Sequence, residues 1–320
     1  MCFFTQKQKR IVIMSHYKFK LFLFFLILSS LACSQTIPLL TETGTTGMIV
    51  YYTDQDGTYE IYAIDPNSGE STRLTNNASN DISPAFIPVA DHIGFVSDRE
   101  PGWNLYAIDK LGDNEETITA NETLVLDYPN WSPDGKFIAV SMAQGCKPPA
   151  TNCYYDIFTM NADGTGIKQL TDTPQPASEW VPVWSPDGGK IAFASDRDGD
   201  SEVYVMNRDG SNLKQLTDNS GYDGNPSWSP DGKTIVFDTD RDGVSDWDLY
   251  FMDANGANPR AITSNTTNDF DASFSPDGNW LVYLTDRDGD NEIVIIDING
   301  ENQKRLTQNT FKDIAPIWLP

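Results

Sequence analysis

The stretch that decides the fold is residues 225–243, NPSWSPDGKTIVFDTDRDG, because versions of it recur along the chain. It combines an aromatic anchor, a Ser-Pro-Asp-Gly turn, an alternating apolar strand and an Asp-Arg-Asp-Gly turn. The anchors of the copies are Phe86, Trp131, Trp184, Trp228, Phe274 and Trp318, at spacings of 45, 53, 44, 46 and 44 residues. Six units of this length, each with room for four short strands, are typical of β-propeller blades.

The two ends of the repeat region complement each other. The chain ends on APIWLP, a first strand without successors, and the unit that begins at Met48 lacks a first strand. Together they make one complete blade, which would leave no open sheet edge. We therefore predict an all-β, six-bladed propeller of four-stranded antiparallel blades over residues 48–320. Its ring is closed by residues 315–318 pairing with residues 48–53.

The repeated pattern PxW-SPDGK-IAF-SDRDGD-EIYVMN-DG-QLT resembles the TolB-like propeller repeat, and the resemblance covers residues 48–320. It is less completely similar to the propeller domains of prolyl-oligopeptidase-type peptidases. TolB carries an α/β domain ahead of its propeller and those peptidases carry a hydrolase domain, neither of which the sequence shows. The resemblance therefore implies the fold, and it does not extend to membership of the Tol-Pal system.

Residues 1–32 have the features of a signal peptide, since Lys18 and Lys20 precede an apolar run from Leu21 to Leu28. That run is shorter than the roughly 20 apolar residues that a membrane-spanning helix needs. Small residues leading to Cys33 resemble a bacterial lipoprotein leader, which implies that Cys33 is lipidated; plain secretion is the alternative. Residues 33–47 are typical of a linker. We expect an exported protein, periplasmic or at the cell surface, that contacts the membrane only through this lipid.

The chain is strongly acidic, with 46 Asp and Glu against 22 Lys and Arg and a net charge of −24. All basic residues of the leader would leave with it, so the mature charge would be about −29. Such a charge repels phosphate backbones and favours cationic partners. We expect a monomer that binds a basic protein segment or peptide and no nucleic acid.

Two cysteines remain outside the leader region, Cys146 and Cys153, in the loop GCKPPATNCYY. An oxidising compartment would let them form a disulfide, which we predict. Two free thiols or a metal-binding pair are the alternatives.

An acidic residue precedes the first strand of every blade, and we predict these six side chains to surround one channel mouth. They are Asp81, Asp127 (displaced by one position), Glu179, Asp223, Asp269 and Asp313. Mutual repulsion between them must be relieved by protons, cations or hydrogen bonds. One interpretation is a binding site for a cation or a cationic peptide. The other is structural, with each carboxylate accepting backbone N–H bonds and tying neighbouring blades together.

The DRDG turns suggest calcium, the one cofactor that the sequence indicates, because carboxylates alternate there like oxygen ligands. The two candidate sets are Asp196, Asp198, Asp200 and Glu202, and Asp286, Asp288, Asp290 and Glu292. They lack the glycine and glutamate positions of an EF-hand. Asx-turn hydrogen bonding is the alternative for the first two aspartates of each set. We expect the arginines of these turns, Arg197, Arg241 and Arg287, to pair with carboxylates of the same turns.

The sequence assigns no catalytic residue, because it has no G-x-S-x-G motif and only one histidine, His92, outside the leader. We therefore predict an envelope scaffold that binds a basic segment through its acidic face and channel mouth. The alternative is a metal-dependent propeller enzyme, similar to a lactonase or a lyase, with carboxylate ligands at the mouth.

Overall fold

The computed structural model describes residues 45–121, 123–143, 153–243 and 246–320. Among these residues there is no helix of the length and apolarity that crossing a membrane requires. The predicted signal peptide, Cys33, most of the linker and Cys146 lie outside the described residues.

The described residues form 24 strands in six four-stranded antiparallel sheets. Blade 1 contains β1 (Met48–Thr53), β2 (Glu60–Ile64), β3 (Ser71–Arg73) and the last strand, β24 (Asp313–Leu319). Blade 2 contains β4 (Asp81–Ile87), β5 (His92–Ser97), β6 (Asn104–Asp109) and β7 (Glu116–Thr117). Blade 3 contains β8 (Leu126–Trp131), β9 (Phe137–Met142), β10 (Asp156–Asn161) and β11 (Lys168–Gln169).

The remaining blades repeat this order. Blade 4 contains β12 (Glu179–Trp184), β13 (Lys190–Ser195), β14 (Glu202–Asn207) and β15 (Lys214–Gln215). Blade 5 contains β16 (Asp223–Trp228), β17 (Thr234–Thr239), β18 (Asp248–Asp253) and β19 (Arg260–Ala261). Blade 6 contains β20 (Asp269–Phe274), β21 (Trp280–Thr285), β22 (Glu292–Asp297) and β23 (Lys304–Arg305). The predicted all-β, six-bladed architecture is confirmed.

The ring closes as predicted, by pairing the last strand with the first. Strand β24 runs antiparallel to β1, with Ile49 opposite Trp318 and Thr53 opposite Asp313. The indole Nε1 of Trp318 donates to the carbonyl of Thr46 at 3.0 Å, which adds a contact just outside the strand. Neither edge of this seam is therefore left unpaired.

The core lies between the blades. Six buried apolar clusters each combine residues from two neighbouring blades, and one of them joins blade 6 to blade 1. The aromatic anchor near the end of each first strand packs in a cluster shared with the preceding blade. In the tightest case the ring of Trp131 occupies the space that a side chain at Gly94 would need. The anchors are thus packing residues between the blades.

Lysines at the start of three fourth strands tie their blades to the next one. The ammonium group of Lys168 donates to the carbonyl of Asp209 at 3.0 Å, and that of Lys214 to Asn255 at 2.6 Å. Lys304 makes the same contact across the seam, to the carbonyl of Pro66 at 2.8 Å. These basic side chains therefore reinforce the outer part of the ring, including its closure.

Candidate functional site

The central channel is lined by one left-handed residue from each blade. These residues are Ser83, Tyr128, Val181, Asn225, Asp271 and Ala315, with φ between 45° and 55°. The sheet register shifts around this position in all six blades. In five of them the next residue is proline, which has no N–H group to donate to the neighbouring strand. A valine at φ 53° is a clear backbone outlier. Strain of this kind is typical of functional positions.

Ring order decides which of these side chains face each other. First strands contact each other in the order β24, β4, β8, β12, β16, β20 and back to β24. Blade 3 therefore lies opposite blade 6, which places Asp127 and Tyr128 across the channel from Asp271. By the same argument Val181 lies opposite Ala315. A cavity of about 240 Å³ opens between them, and its lining includes Tyr128, Asn225 and Asp271.

Asp127 is the predicted mouth carboxylate that is partly exposed, and it bonds to two residues that line the channel. Its Oδ1 accepts hydrogen bonds from the hydroxyl of Ser83 at 2.5 Å and from the backbone N–H of Tyr128 at 2.8 Å. Burial raises the pKa of its carboxyl group, and these two hydrogen bonds oppose the rise. Its one-residue displacement explains the orientation, since successive strand residues face opposite sides.

A second acidic group in the channel consists of Asp238 and Asp271. The Oδ2 of Asp238 accepts from the side-chain amide of Asn225 at 2.7 Å and from the backbone N–H of Asp271 at 3.0 Å. Burial raises the pKa of Asp238 well above its ordinary value, and the charge of Asp271 raises it further. Burial also raises the pKa of Asp271, to about 6. These two carboxyl groups therefore do not both ionise readily.

Aromatic rings surround the acidic residues on the side where the first strands begin. The rings of Tyr222 and Trp247 stack with centroids 4.9 Å apart, and Phe270 meets Trp247 edge-on at 5.8 Å. Burial raises the pKa of the Tyr52 hydroxyl, and the charges of Asp127 and Asp271 add to this effect. Tyr128 is 38% exposed, and the pKa of its hydroxyl group is raised by burial and by the charges of the same two carboxylates. The channel thus combines negative charge with aromatic surface.

The other five predicted mouth carboxylates are fully buried. They are Asp81, Glu179, Asp223, Asp269 and Asp313, each 0–1% exposed. Asparagine side chains of the blade connections bind four of them, as Asn77 binds Asp81 at 2.7 Å and Asn219 binds Asp223 at 2.6 Å. In this structure they hold the connections in place and are not accessible to a partner. A binding role for them stays a prediction that requires these connections to open.

Two arginines of the DRDG turns, Arg197 and Arg241, pair with these buried acids, and not with carboxylates of their own turns as expected. Arg241 Nη2 contacts Asp223 at 2.7 Å, and Arg197 contacts Glu179 in the same way. Each guanidinium also lies over a tyrosine of the third strand, as Arg197 does over Tyr204 at 4.7 Å. The pairing crosses 18 residues of sequence because the sheet brings the two loops together.

Comparison with known sequences decides the family. The family model for the TolB beta propeller domain matches residues 44–179 and 129–222, more than half of the chain. The chain belongs to the TolB beta propeller domain family. A protein TolB homolog from Chlorobium luteolum is 27% identical over 53% of this chain and 37% of its own length. The Tol-Pal system protein TolB of Desulfosudis oleivorans is 28% identical over 43% of this chain and 30% of its own. The chain thus spans about a third of the length of these two curated relatives.

Solved structures agree with the fold of this TolB-type propeller. TolB from Acinetobacter baumannii superposes with a TM-score of 0.72 at 24% identity, covering 86% of this chain and 67% of that one. An oligogalacturonate lyase in complex with manganese superposes with a TM-score of 0.58 at 18% identity, covering 80% of this chain and 72% of that one. At these identities the similarity concerns the fold alone.

The structure does not bring the predicted calcium ligands of the TolB-type propeller together. In the first set Asp196 accepts the backbone N–H of Ser178 at 2.6 Å, Asp198 accepts the hydroxyl of Tyr204, and Glu202 is buried. In the second set Asp286 binds the backbone of Asn268 and Asp288 pairs with Arg305. Across the described ranges no group of three or more His, Cys, Asp or Glu residues is arranged to hold a metal ion. Asp196 and Asp286 bind backbone N–H groups 18 residues away, so these bonds are not those of the Asx-turn alternative either.

Cys153 is disulfide-bonded. Its predicted partner, Cys146, lies outside the described residues, as does the predicted lipidation site Cys33. The pairing of Cys146 with Cys153 and the lipid at Cys33 stay predictions.

Sequence reasoning missed Asp238 and Asp271, although the repeat contains a signal for the first. The residues that face the bulge from the second strands are Tyr52, Val96, Ser141, Ala194, Asp238 and Leu284. Asp238 is the one charged member, and it lies inside an otherwise apolar strand. A comparison of the residues that occupy this same second-strand position in the six repeats would have identified Asp238, whereas a search for repeated motifs does not.

The stability of the TolB-type propeller is expected to fall as the pH rises through the neutral range. Glu202 is buried, and its pKa is raised from 4.5 to about 7 by burial and then by the charge of Asp223. Between these two values the folded chain holds a proton that the unfolded chain releases, so the unfolding free energy decreases with increasing pH. Urea unfolding between about pH 4.5 and 7 measures this slope.

The variant Glu202→Gln should flatten this pH profile and raise stability at the alkaline end, because it removes the buried ionisation. Exposed Glu301 supplies the control, since Glu301→Gln should leave the slope unchanged. An unchanged slope in the Glu202 variant would contradict the assignment.

Proposed function

We propose that this TolB-type propeller is an exported binding scaffold of the cell envelope, whose acidic face and channel mouth hold a basic segment of another protein. The observation that carries the proposal is the acidic and aromatic channel, in which Asp127, Asp238 and Asp271 gather inside a rigid ring. The strong negative charge of the chain supports a cationic partner, because such a field speeds association and selects the partner.

The face around this mouth carries further negative charge that a basic segment would meet first. The strand order places the DRDG turns and the connections between blades on the same face. That face includes exposed Glu100 and the partly exposed Asp200 and Asp290. The proposal further includes the signal peptide at residues 1–32, the lipid anchor at Cys33 and a monomeric state. Kinship with TolB proteins supports export.

A direct test measures binding of a short oligolysine peptide and of an oligoglutamate peptide of equal length. The basic peptide is expected to bind, and its affinity should fall steeply between about 50 and 300 mM salt because long-range charge attraction is screened. The acidic peptide should not bind. Neutralising the face with Glu100→Gln, Asp200→Asn and Asp290→Asn should lower the association rate. Equal binding of both peptides would refute the proposal.

The lyase neighbour provides the second candidate, a metal-dependent enzyme acting at the channel mouth. The same preparation, incubated with oligogalacturonate and manganese, tests it. Turnover that a chelator abolishes would support the enzyme, whereas peptide binding that survives the chelator supports the scaffold. The carboxylates of the described ranges do not form a metal-holding group, which favours the scaffold.

A further inference from the structure

A buried carboxylate oxygen without a partner lies behind two residues that line the channel. Asp238 is 0% exposed, and its Oδ1 has no hydrogen-bond partner among the described residues. Its Oδ2 is held by Asn225 and by the backbone of Asp271, both of which line the cavity. A buried acceptor without a donor is costly and uncommon in native structures. It indicates that a positively charged group is missing beside Asp238 and Asp271.

The walls of the channel define the shape of that group. Carboxylates come from two opposite blades, Asp127 in blade 3 and the cavity-lining Asp271 in blade 6. Burial raises the pKa of the Tyr52 and Tyr128 hydroxyl groups, and the charges of both carboxylates raise it further. The small apolar side chains of Val181 and Ala315 occupy another opposite pair. A ligand that fits such a slot has hydrogen-bond donors at its edges and weakly hydrated faces.

A guanidinium group has these properties. It is planar, it presents five N–H donors along its edges, and its faces are weakly hydrated and stack on aromatic rings. The tyrosines around the carboxylates, Tyr52, Tyr128 and Tyr222, offer such rings. An ammonium group is a compact, strongly hydrated charge without flat faces that could stack on these rings. A metal ion needs converging ligands, and no such group exists in the described part of the chain.

We infer that the middle of the channel binds the guanidinium group of an arginine side chain, with Asp127 and Asp271 as acceptors on opposite sides and Tyr128 beside it. Asp238 is a positioning residue, because it holds the backbone of Asp271 and adds negative charge behind it. The inference rests on the proposed function in that it names the side chain of the basic segment that enters the ring.

The test uses methylguanidinium chloride as the probe, with methylammonium chloride and calcium chloride at equal ionic strength as comparisons. Binding is followed by titration calorimetry and by the shift of the unfolding temperature. Methylguanidinium is expected to bind and to stabilise the wild-type protein more than either comparison ion. Its affinity should rise between about pH 5 and 8, because the pKa of Asp271 is about 6 and binding requires its charged form.

Conservative variants separate the site from the fold. Asp271→Asn is compatible with the backbone, since Asn225 adopts the same left-handed conformation in the neighbouring blade. This variant and Asp127→Asn should each weaken methylguanidinium binding at least about tenfold and reduce its pH dependence. Asp113→Asn, in the exposed turn between β6 and β7, is the matched control and should bind like the wild type. Should one channel variant not fold, the other still decides.

Two results would overturn the inference. The first is equal binding of methylguanidinium by the wild type and a folded channel variant. The second is equal or greater stabilisation by methylammonium or calcium that depends on Asp271. The outcome is separable from that of the proposed function: oligolysine binding without a methylguanidinium site would remove only this inference. Methylguanidinium binding without any binding of basic peptides would remove only the scaffold.

Discussion

Replacement of Trp318 by alanine is expected to destabilise the propeller by about 3–5 kcal/mol, the range for truncating a buried aromatic residue. Trp318 is 6% exposed and packs on Val282 of blade 6 and Ile49 of blade 1, so it joins the two ends of the chain. The alanine variant also leaves the carbonyl of Thr46 without its indole donor. Urea unfolding followed by tryptophan fluorescence and circular dichroism measures the loss.

Trp280 supplies the matched control for this prediction. It contacts the same apolar cluster but is only partly buried, and it lies outside the seam between the chain ends. Trp280→Ala should therefore cost clearly less than Trp318→Ala. The stability loss for Trp318→Phe should lie between the losses for Trp280→Ala and Trp318→Ala, because phenylalanine keeps most of the packing and loses the hydrogen bond. Equal losses for both alanine variants would show that the seam has no special importance.

Replacement of Arg197 by methionine is expected to cost a similar amount, about 3–5 kcal/mol at pH 8, because it leaves the buried carboxylate of Glu179 without its charged partner. The other oxygen of Glu179, Oε2, already lacks a hydrogen-bond partner among the described residues. The loss should shrink as the pH falls, since burial raises the pKa of Glu179 and the arginine that lowers it is absent in the variant. Unfolding free energies at pH 5 and pH 8 test this.

The double variant, Arg197→Met with Glu179→Gln, is the decisive comparison. It removes both charges, so it should recover most of the stability at pH 8 and show little change between pH 5 and 8. The exposed pair of Lys233 and Asp231 provides the surface control, and Lys233→Met should cost less than about 1 kcal/mol. A double variant no more stable than Arg197→Met would mean that packing of the arginine, and not its charge, dominates.

The ring and its closure could be predicted from sequence because each depends on short local patterns. A Ser-Pro-Asp-Gly turn fixes a hairpin by itself, and a first strand without successors at Trp318 matches a blade without a first strand at Met48. The motif also marked the acidic residue that begins the first strand in five of the six blades.

Contacts between loops could not be predicted in the same way. The ion pair between Arg197 and Glu179 joins two connections that become neighbours only after the sheet forms. Asp127 differed from its counterparts by one position, which reverses the face of a strand residue and brings it against two residues that line the channel. Asp238 belongs to no repeated motif, and it accepts a hydrogen bond from the backbone N–H of Asp271 in the next blade, a contact that exists only in the folded ring.

The repeated left-handed position in the first strands has a consequence for how such rings diversify. Serine, tyrosine, valine, asparagine, aspartate and alanine all occupy it here on nearly the same backbone. The scaffold therefore tolerates an exchange at any one of the six without rebuilding its sheets. Specificity in this architecture can therefore evolve blade by blade, through the six different side chains that share this one backbone position.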